Sequence, residues 1–255
     1  MDTANAMGSF GRTSLSTDTG RITVRPDHHN IQTYGGKVMT EATERALIGL
    51  RDLSTVQWYV IPLLAIVFYI YTREIKEAKT TGNWEAVFAG LTIFGMDFFN
   101  ETWNSWVMVL SGRSAFWTAP GETALRTMVG WNIEIMFMFS IMGIIYYHSL
   151  TPDRKVKILG IPEKWALAIL FSAFCVFVEC LLNKGGHLVW EYPFWERSSK
   201  GVILIFLIGY FHFFCASIFV MHLKTVRSKV TTILCIYSTA VVMNILGLGV
   251  FKWNY

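Results

Sequence analysis

The chain has 255 residues, 53% of them hydrophobic and only 16% charged, with a formal net charge of +4. That balance lies off the globular average, and the apolar residues fall in long blocks with short linkers that leave no room for a second, soluble domain. No basic stripe with interleaved aromatics is present, which argues against a nucleic-acid partner.

Residues 1–52 mix Ser, Thr, Gly and His with no sustained period and are expected to be largely irregular, with a short surface helix within Thr40 to Asp52. No cleavable signal peptide is expected, because the first apolar run begins near residue 53. The adjacent His28 and His29 are read as solvated and not as metal ligands.

A bilayer core about 30 Å thick takes roughly twenty apolar residues per helix. Six segments meet that measure: Leu53 to Thr72 with Pro62 inside it, Trp84 to Leu110, Thr127 to Tyr147, Trp165 to Leu182, Gly201 to Leu223 and Val230 to Phe251. The expected architecture is an all-α, polytopic transmembrane bundle of about six spanning helices over residues 53–255, behind the polar segment 1–52. The chain is therefore expected to be a multi-pass integral membrane protein.

Cys175, Cys180, Cys215 and Cys235 all fall inside predicted spans without CxxC spacing, so no disulfide framework is expected. The alternation of spans places the basic linkers Arg73 to Lys79, Arg154 to Lys164 and Lys224 to Lys229 on one face. That face is cytoplasmic under the positive-inside rule, against which Arg45 and Arg51 count. Anionic lipid headgroups are the expected electrostatic partners. An assembly of like or unlike subunits is left open.

Charged groups deep in a spanning helix cost at least about 2.5 kcal/mol each, so those that persist usually face a bundle interior and serve a function. In the second predicted span Asp97, Asn100, Glu101 and Asn104 share one sector at helical spacing. Glu134 opens the third span and is expected to meet that face. The fourth carries Cys175, Glu179, Asn183, His187 and Glu191 at every fourth position, with Gly185-Gly186 expected to end or bend the helix and leave residues 187–195 as a re-entrant or interfacial turn.

The structural alternative is that such groups only join helices by hydrogen bonds, as read for Asn104, Asn132 and Asn244. Interhelical joints seldom need Asp97, Glu101, Glu134 and Glu179 together. Carboxyl groups gathered out of water can share protons unequally, one serving as acid and an ionised neighbour as base. Glu101 and Glu134 are the expected catalytic pair, positioned by Asp97 and Asn104. Asn100, Trp103, Trp131, His187 and Trp190 are the expected substrate contacts.

Phe98, Phe99, Trp106, Trp117 and Trp195 add ring faces that would stabilise a carbocation, whereas Trp84, Trp165 and Trp253 read as an interfacial belt.

Asp97-Phe98-Phe99-Asn100-Glu101-Thr102-Trp103 resembles the emopamil-binding-protein type of sterol isomerase, in which a polar residue, Glu four later and Trp two after that sit in the second span. Glu134 matches that family's second essential carboxylate. The resemblance covers roughly residues 53–223 and extends to small integral-membrane terpene cyclases. It implies protonation of an alkene or epoxide of an isoprenoid or sterol-like lipophilic substrate, removal of a proton elsewhere, and no cofactor. The family's His is here Asp97, and its Asn-x-x-Trp of the fifth span is absent, with only His212 nearby.

Leu182-Asn183-Lys184-Gly185-Gly186-His187-Leu188-Val189-Trp190 is similar to the copper-binding stretch of the membrane monooxygenases for methane and ammonia, which implies copper on Asn183 and His187. The remaining ligands of that family would fall on Asn100, Asn104 and Trp131, and amides and indole are poor copper ligands. A third class, a proton-coupled transporter or non-catalytic assembly subunit, would use the same carboxylates to relay protons or lock helices.

Overall fold

Thr40, at the head of the run Glu-Ala-Thr-Glu-Arg-Ala-Leu, caps helix α1 (Glu41–Leu47) through its side chain, and two acidic residues in the first turn complement the helix dipole. The computed structural model describes residues 33–34, 37–153 and 155–255, so His28 and His29 lie outside the described residues. The short helix expected here is present. It buries Ala42, Thr43, Ala46 and Leu47 against the bundle.

Helix α2 (Val60–Thr81) starts at Val60, beyond a short 3-10 turn at Leu53–Thr55. Pro62 thus falls in the first helical turn, where its missing N–H costs no hydrogen bond, and not inside a span as expected. The helix continues through the charged stretch Arg73 to Lys79 and ends at Gly82, whose φ of 75° suits glycine.

Helix α3 (Glu85–Ser111) is followed by α4 (Ile133–His148), α5 (Glu163–Lys184), α6 (Ser199–His222) and α7 (Val226–Val250). Helix α6 contains a π-helical stretch, Ile205–Phe211, and α7 ends in another, Ile245–Val250.

Among the described residues α5, α6 and α7 are long and apolar enough to cross a membrane, and the chain is an all-α integral membrane protein. The expected six spans reduce to these three. The second half of α2 is charged. Helix α3 is long but carries the Asp-Asn-Glu-Asn series. Helix α4 has 16 residues, about 24 Å at 1.5 Å per residue, because the first residues of the predicted span fold as a hairpin, Arg126–Met128 against Trp131–Asn132.

Helix α3 is the axis of the bundle, with α4, α6 and α7 packed around it. At the α3–α4 crossing a Cβ on Gly143 would lie 2.8 Å from the Gly90 Cα, so only glycine permits this approach. Helix α7 is held to α3 by the Asn244 amide donating to the Thr102 hydroxyl (2.8 Å) and by the Tyr237 hydroxyl donating to the Leu91 carbonyl (3.0 Å).

One end of the bundle carries the ion pair of Glu85 with Lys229 at 2.5 Å and a contact between the Glu74 carboxylate and the His148 ring at 2.9 Å. The opposite end is closed by loops. Trp117–Thr118 pairs antiparallel with Val189–Trp190, and the Arg126 guanidinium donates to the carbonyls of Ala119 (2.8 Å), Gly121 (2.6 Å) and Ile48 (3.1 Å). Burial pulls the Arg126 pKa below its ordinary value, against the opposing pull of Glu134.

Candidate functional site

Helical spacing puts Asp97, Asn100, Glu101 and Asn104 on the inner face of α3, and all four are buried. Three of them, Asp97, Asn100 and Glu101, line an interior cavity of about 50 Å³ between α3, α4, α5 and α6, and Glu179 of α5 completes its polar wall. Glu101 interacts electrostatically with both Asp97 and Glu179. The rest of the wall is mostly apolar or aromatic, including Phe139, Trp117, Trp195 and Phe213.

Each carboxylate accepts a hydrogen bond from an indole. The Trp131 Nε1 donates to Asp97 Oδ2 (2.8 Å), the Trp117 Nε1 to Glu101 Oε1 (2.9 Å) and the Trp190 Nε1 to Glu179 Oε1 (2.9 Å). Trp117 and Trp190 stand directly opposite each other in the two-stranded ladder, so one element fixes two carboxylates from different helices.

The second oxygen of Glu101, Oε2, is buried beside Gly130 and the Asn104 amide and makes no hydrogen bond within 3.5 Å. An indole has one donor and no acceptor, so it orients one oxygen and leaves the other for chemistry.

The π-helical stretch of α6 supplies the remaining wall. Its Gly209 carbonyl accepts from the Asn100 amide at 3.4 Å, and its Tyr210 side chain lines the cavity beside Glu179. Such stretches often occur at functional sites because they redirect side chains within a continuous helix.

The expected residues divide clearly. Asn104 lies beside Glu101 and is itself held by the loop: its amide donates to the Trp117 carbonyl at 2.8 Å and its oxygen accepts from the Phe116 N–H at 2.9 Å. Trp103 donates to Asn100 (2.5 Å) and packs edge-on against Phe116 and Trp117, outside the cavity lining. Trp131 and Trp190 act on carboxylates, as above.

Glu134 is not brought to Glu101. It is held by the hydroxyls of Tyr59 and Thr123 and by the Ala124 N–H at 2.9 Å, and it does not line the cavity. The cause is the hairpin before α4, which puts Glu134 in the first helical turn beside the 123–126 loop.

His187 is exposed beyond the end of α5, and the Asn183 amide donates to the Leu188 carbonyl at 3.1 Å. Helix α5 ends at Lys184, as expected from the two glycines, so His187 and Glu191 leave the stripe that holds Cys175 and Glu179. Glu191 instead accepts from the Thr40 hydroxyl at 2.6 Å, tying this loop to α1. Among the described residues no group of three or more His, Cys, Asp or Glu is placed to hold a metal ion. His212 is half-buried against the Phe213 ring, outside the cavity lining.

Glu179 is legible in the sequence as a polar residue in an apolar helix, yet nothing there pairs it with Glu101. Tyr210 gives no sequence signal, since a single Tyr in an aromatic-rich span reads as packing.

A helical membrane protein with a carboxylate-lined interior cavity is the class that fold and site define. The chain belongs to a family described as an uncharacterized membrane protein family, whose model matches residues 40–249. That match takes in α1 and every carboxylate of the cavity. The chain is also similar to a protein of Archaeoglobus fulgidus described as an uncharacterized protein, with 44% identity over 214 residues that make up 84% of this chain and 99% of the relative. No solved structure matches. The family match carries the membrane character of the chain, and neither the sterol-isomerase nor the copper-monooxygenase resemblance.

Proposed function

We propose that the protein is a membrane-embedded acid–base enzyme, of the isomerase or cyclase type, that moves protons on an isoprenoid or sterol-like lipophilic substrate without a cofactor. The observation that carries this reading is the convergence of Asp97, Glu101 and Glu179 on one otherwise largely apolar cavity, each oriented by an indole N–H. Glu101 is the proposed proton donor, since its Oε2 makes no hydrogen bond within 3.5 Å. Asp97 and Glu179 supply the base, and the ring faces of Trp117, Trp195 and Tyr210 favour positive charge developing on carbon. Glu134, expected as the partner of Glu101, is replaced in this role by the carboxylates that share the cavity.

Deuterium incorporation tests the proposal. Purified protein in liposomes is given a panel of linear isoprenoids and sterols in deuterated water, and the lipids are analysed by mass spectrometry. Wild-type protein is expected to yield a deuterated isomer or cyclised product, and Glu101→Gln to yield none while still inserting and folding. Equal incorporation by Glu101→Gln removes the assignment.

The size of the cavity favours a second reading, a proton relay. About 50 Å³ holds a few waters, since one water needs roughly 10–15 Å³ on this measure. Proton flux across liposomes without any lipid product would support that reading instead.

A further inference from the structure

The carboxylate cavity is lined on three sides by packed aromatic rings and helix backbone. Trp117 and Trp195 stack at 5.6 Å, Phe139 and Phe213 pack edge-on at 5.6 Å, and Gly209 accepts from Asn100 through its backbone. The fourth side is different. There the wall is the seam between α4 and α5, made by Met138 and Met142 on one helix and Phe174, Val178 and Leu182 at four-residue spacing on the other. Helices α4 and α5 touch each other sparsely, because α4 packs on α3 and α5 on the π-helical stretch of α6.

Two of these wall residues also reach the outside: Phe174 is 57% exposed and Leu182 37%. Helix α5 is long and apolar enough to span the membrane, so its outer face meets lipid hydrocarbon. Methionine side chains are flexible and adapt to what lies between them.

We infer that the α4–α5 seam is a lateral portal from the bilayer, and that the substrate is a lipid whose reacting group lies at or near the end of a thin, flexible chain entering end-on between Met138 and Val178. This rests on the acid–base reading and narrows its substrate class. A ligand site for a whole drug-sized molecule typically measures about 300–1,000 Å³, whereas this cavity offers about 50 Å³. The packed aromatic wall does not supply the difference. Extra room comes only along the seam, as a slot, which admits a linear chain and excludes a fused-ring body.

Cys175 is buried and lines the cavity, so it reports entry without any chemistry on substrate. The test uses full-length protein in liposomes with Cys180, Cys215 and Cys235 replaced by Ala. Three methanethiosulfonate reagents are compared, carrying a hexadecyl chain, a cholesteryl group or a water-soluble charged group. The hexadecyl reagent is expected to label Cys175 at least about tenfold faster than the other two, and Val178→Trp, which fills the slot, to slow it by a similar factor. Val178→Ala, which widens the mouth, is expected to speed labelling and keeps the test valid if the Trp variant folds poorly. A chain that keeps only the exposed Cys235 controls for reagent access and is expected to be labelled equally with or without Val178→Trp.

Glu101→Gln is expected to label at the wild-type rate. Retained labelling beside failed deuterium incorporation by the wild-type protein would therefore sink the acid–base reading and leave the portal standing. No labelling by the hexadecyl reagent, equal labelling by the cholesteryl or charged reagent, or indifference to both Val178 variants overturns the portal.

Discussion

Replacing Gly130 by Ala probes the site at its tightest point. The backbone there is not left-handed, so alanine meets no conformational penalty, and the effect comes from the added methyl group alone. That methyl would lie 2.6 Å from Glu101 Oε2, 2.8 Å from Asn104 Nδ2 and 2.8 Å from Trp117 Cδ1. Asn104 is pinned by the Trp117 carbonyl and the Phe116 N–H, and Trp117 is stacked on Trp195, so Glu101 must yield. Overpacking of this kind costs about 1–3 kcal/mol. A carboxylate that swings away from the Trp117 N–H adds part of the roughly 1–3 kcal/mol cost of a buried group losing its partner, and about 2–3 kcal/mol in total is expected. The assay is reversible unfolding in mixed detergent micelles followed by tryptophan fluorescence, run as a double-mutant cycle with Glu101→Ala. With the carboxylate gone, the share of the Gly130→Ala cost that falls on Glu101 should vanish while the contacts with Asn104 and Trp117 remain, giving an interaction energy above about 0.5 kcal/mol. Strict additivity of the two substitutions would refute the placement of Glu101 against Gly130.

Trp190→Phe keeps the ring but removes the donor to Glu179, and is expected to destabilise by about 1–3 kcal/mol in the same unfolding assay, whereas Trp103→Tyr, which leaves all three carboxylate–indole bonds intact, should leave deuterium incorporation in place. At the other end of the bundle Lys229→Met leaves Glu85 without its cation; since the Lys229 side chain is only 6% exposed, a loss of about 3–5 kcal/mol is expected, most of it recovered in Lys229→Met/Glu85→Leu.

The parts of the fold that follow from one-dimensional pattern were legible. Helices α5, α6 and α7 lie within a few residues of their apolar blocks, because in a bilayer apolar length and helix length are nearly the same quantity. Asp97 and Glu101 share the inner face of α3 as their four-residue spacing required. Glu134 is misplaced by its sequence pattern because its position depends on the hairpin around Gly130, where four residues that look like the start of a span, Met128 to Trp131, form a turn instead. The hold on Asn104 depends on the backbone of Phe116 and Trp117, which no helical period connects to it. The span count differs at α2, α3 and α4, where the charged second half of α2, the polar series of α3 and the hairpin before α4 interrupt or shorten the apolar blocks.

The π-helical stretch Ile205–Phe211 has an evolutionary consequence. A wide turn of this kind holds one more residue than an α-turn, so α6 stands a single deletion away from an ordinary helix. Such a deletion would swing everything on one side of it by about 100° relative to the other. The Tyr210 side chain would turn from Glu179, although no side chain of the site had been altered. Chain length within α6 is thus as much a determinant of the site as its acidic residues, and relatives that lack the additional residue should build a different cavity wall even where Asp97, Glu101 and Glu179 are kept.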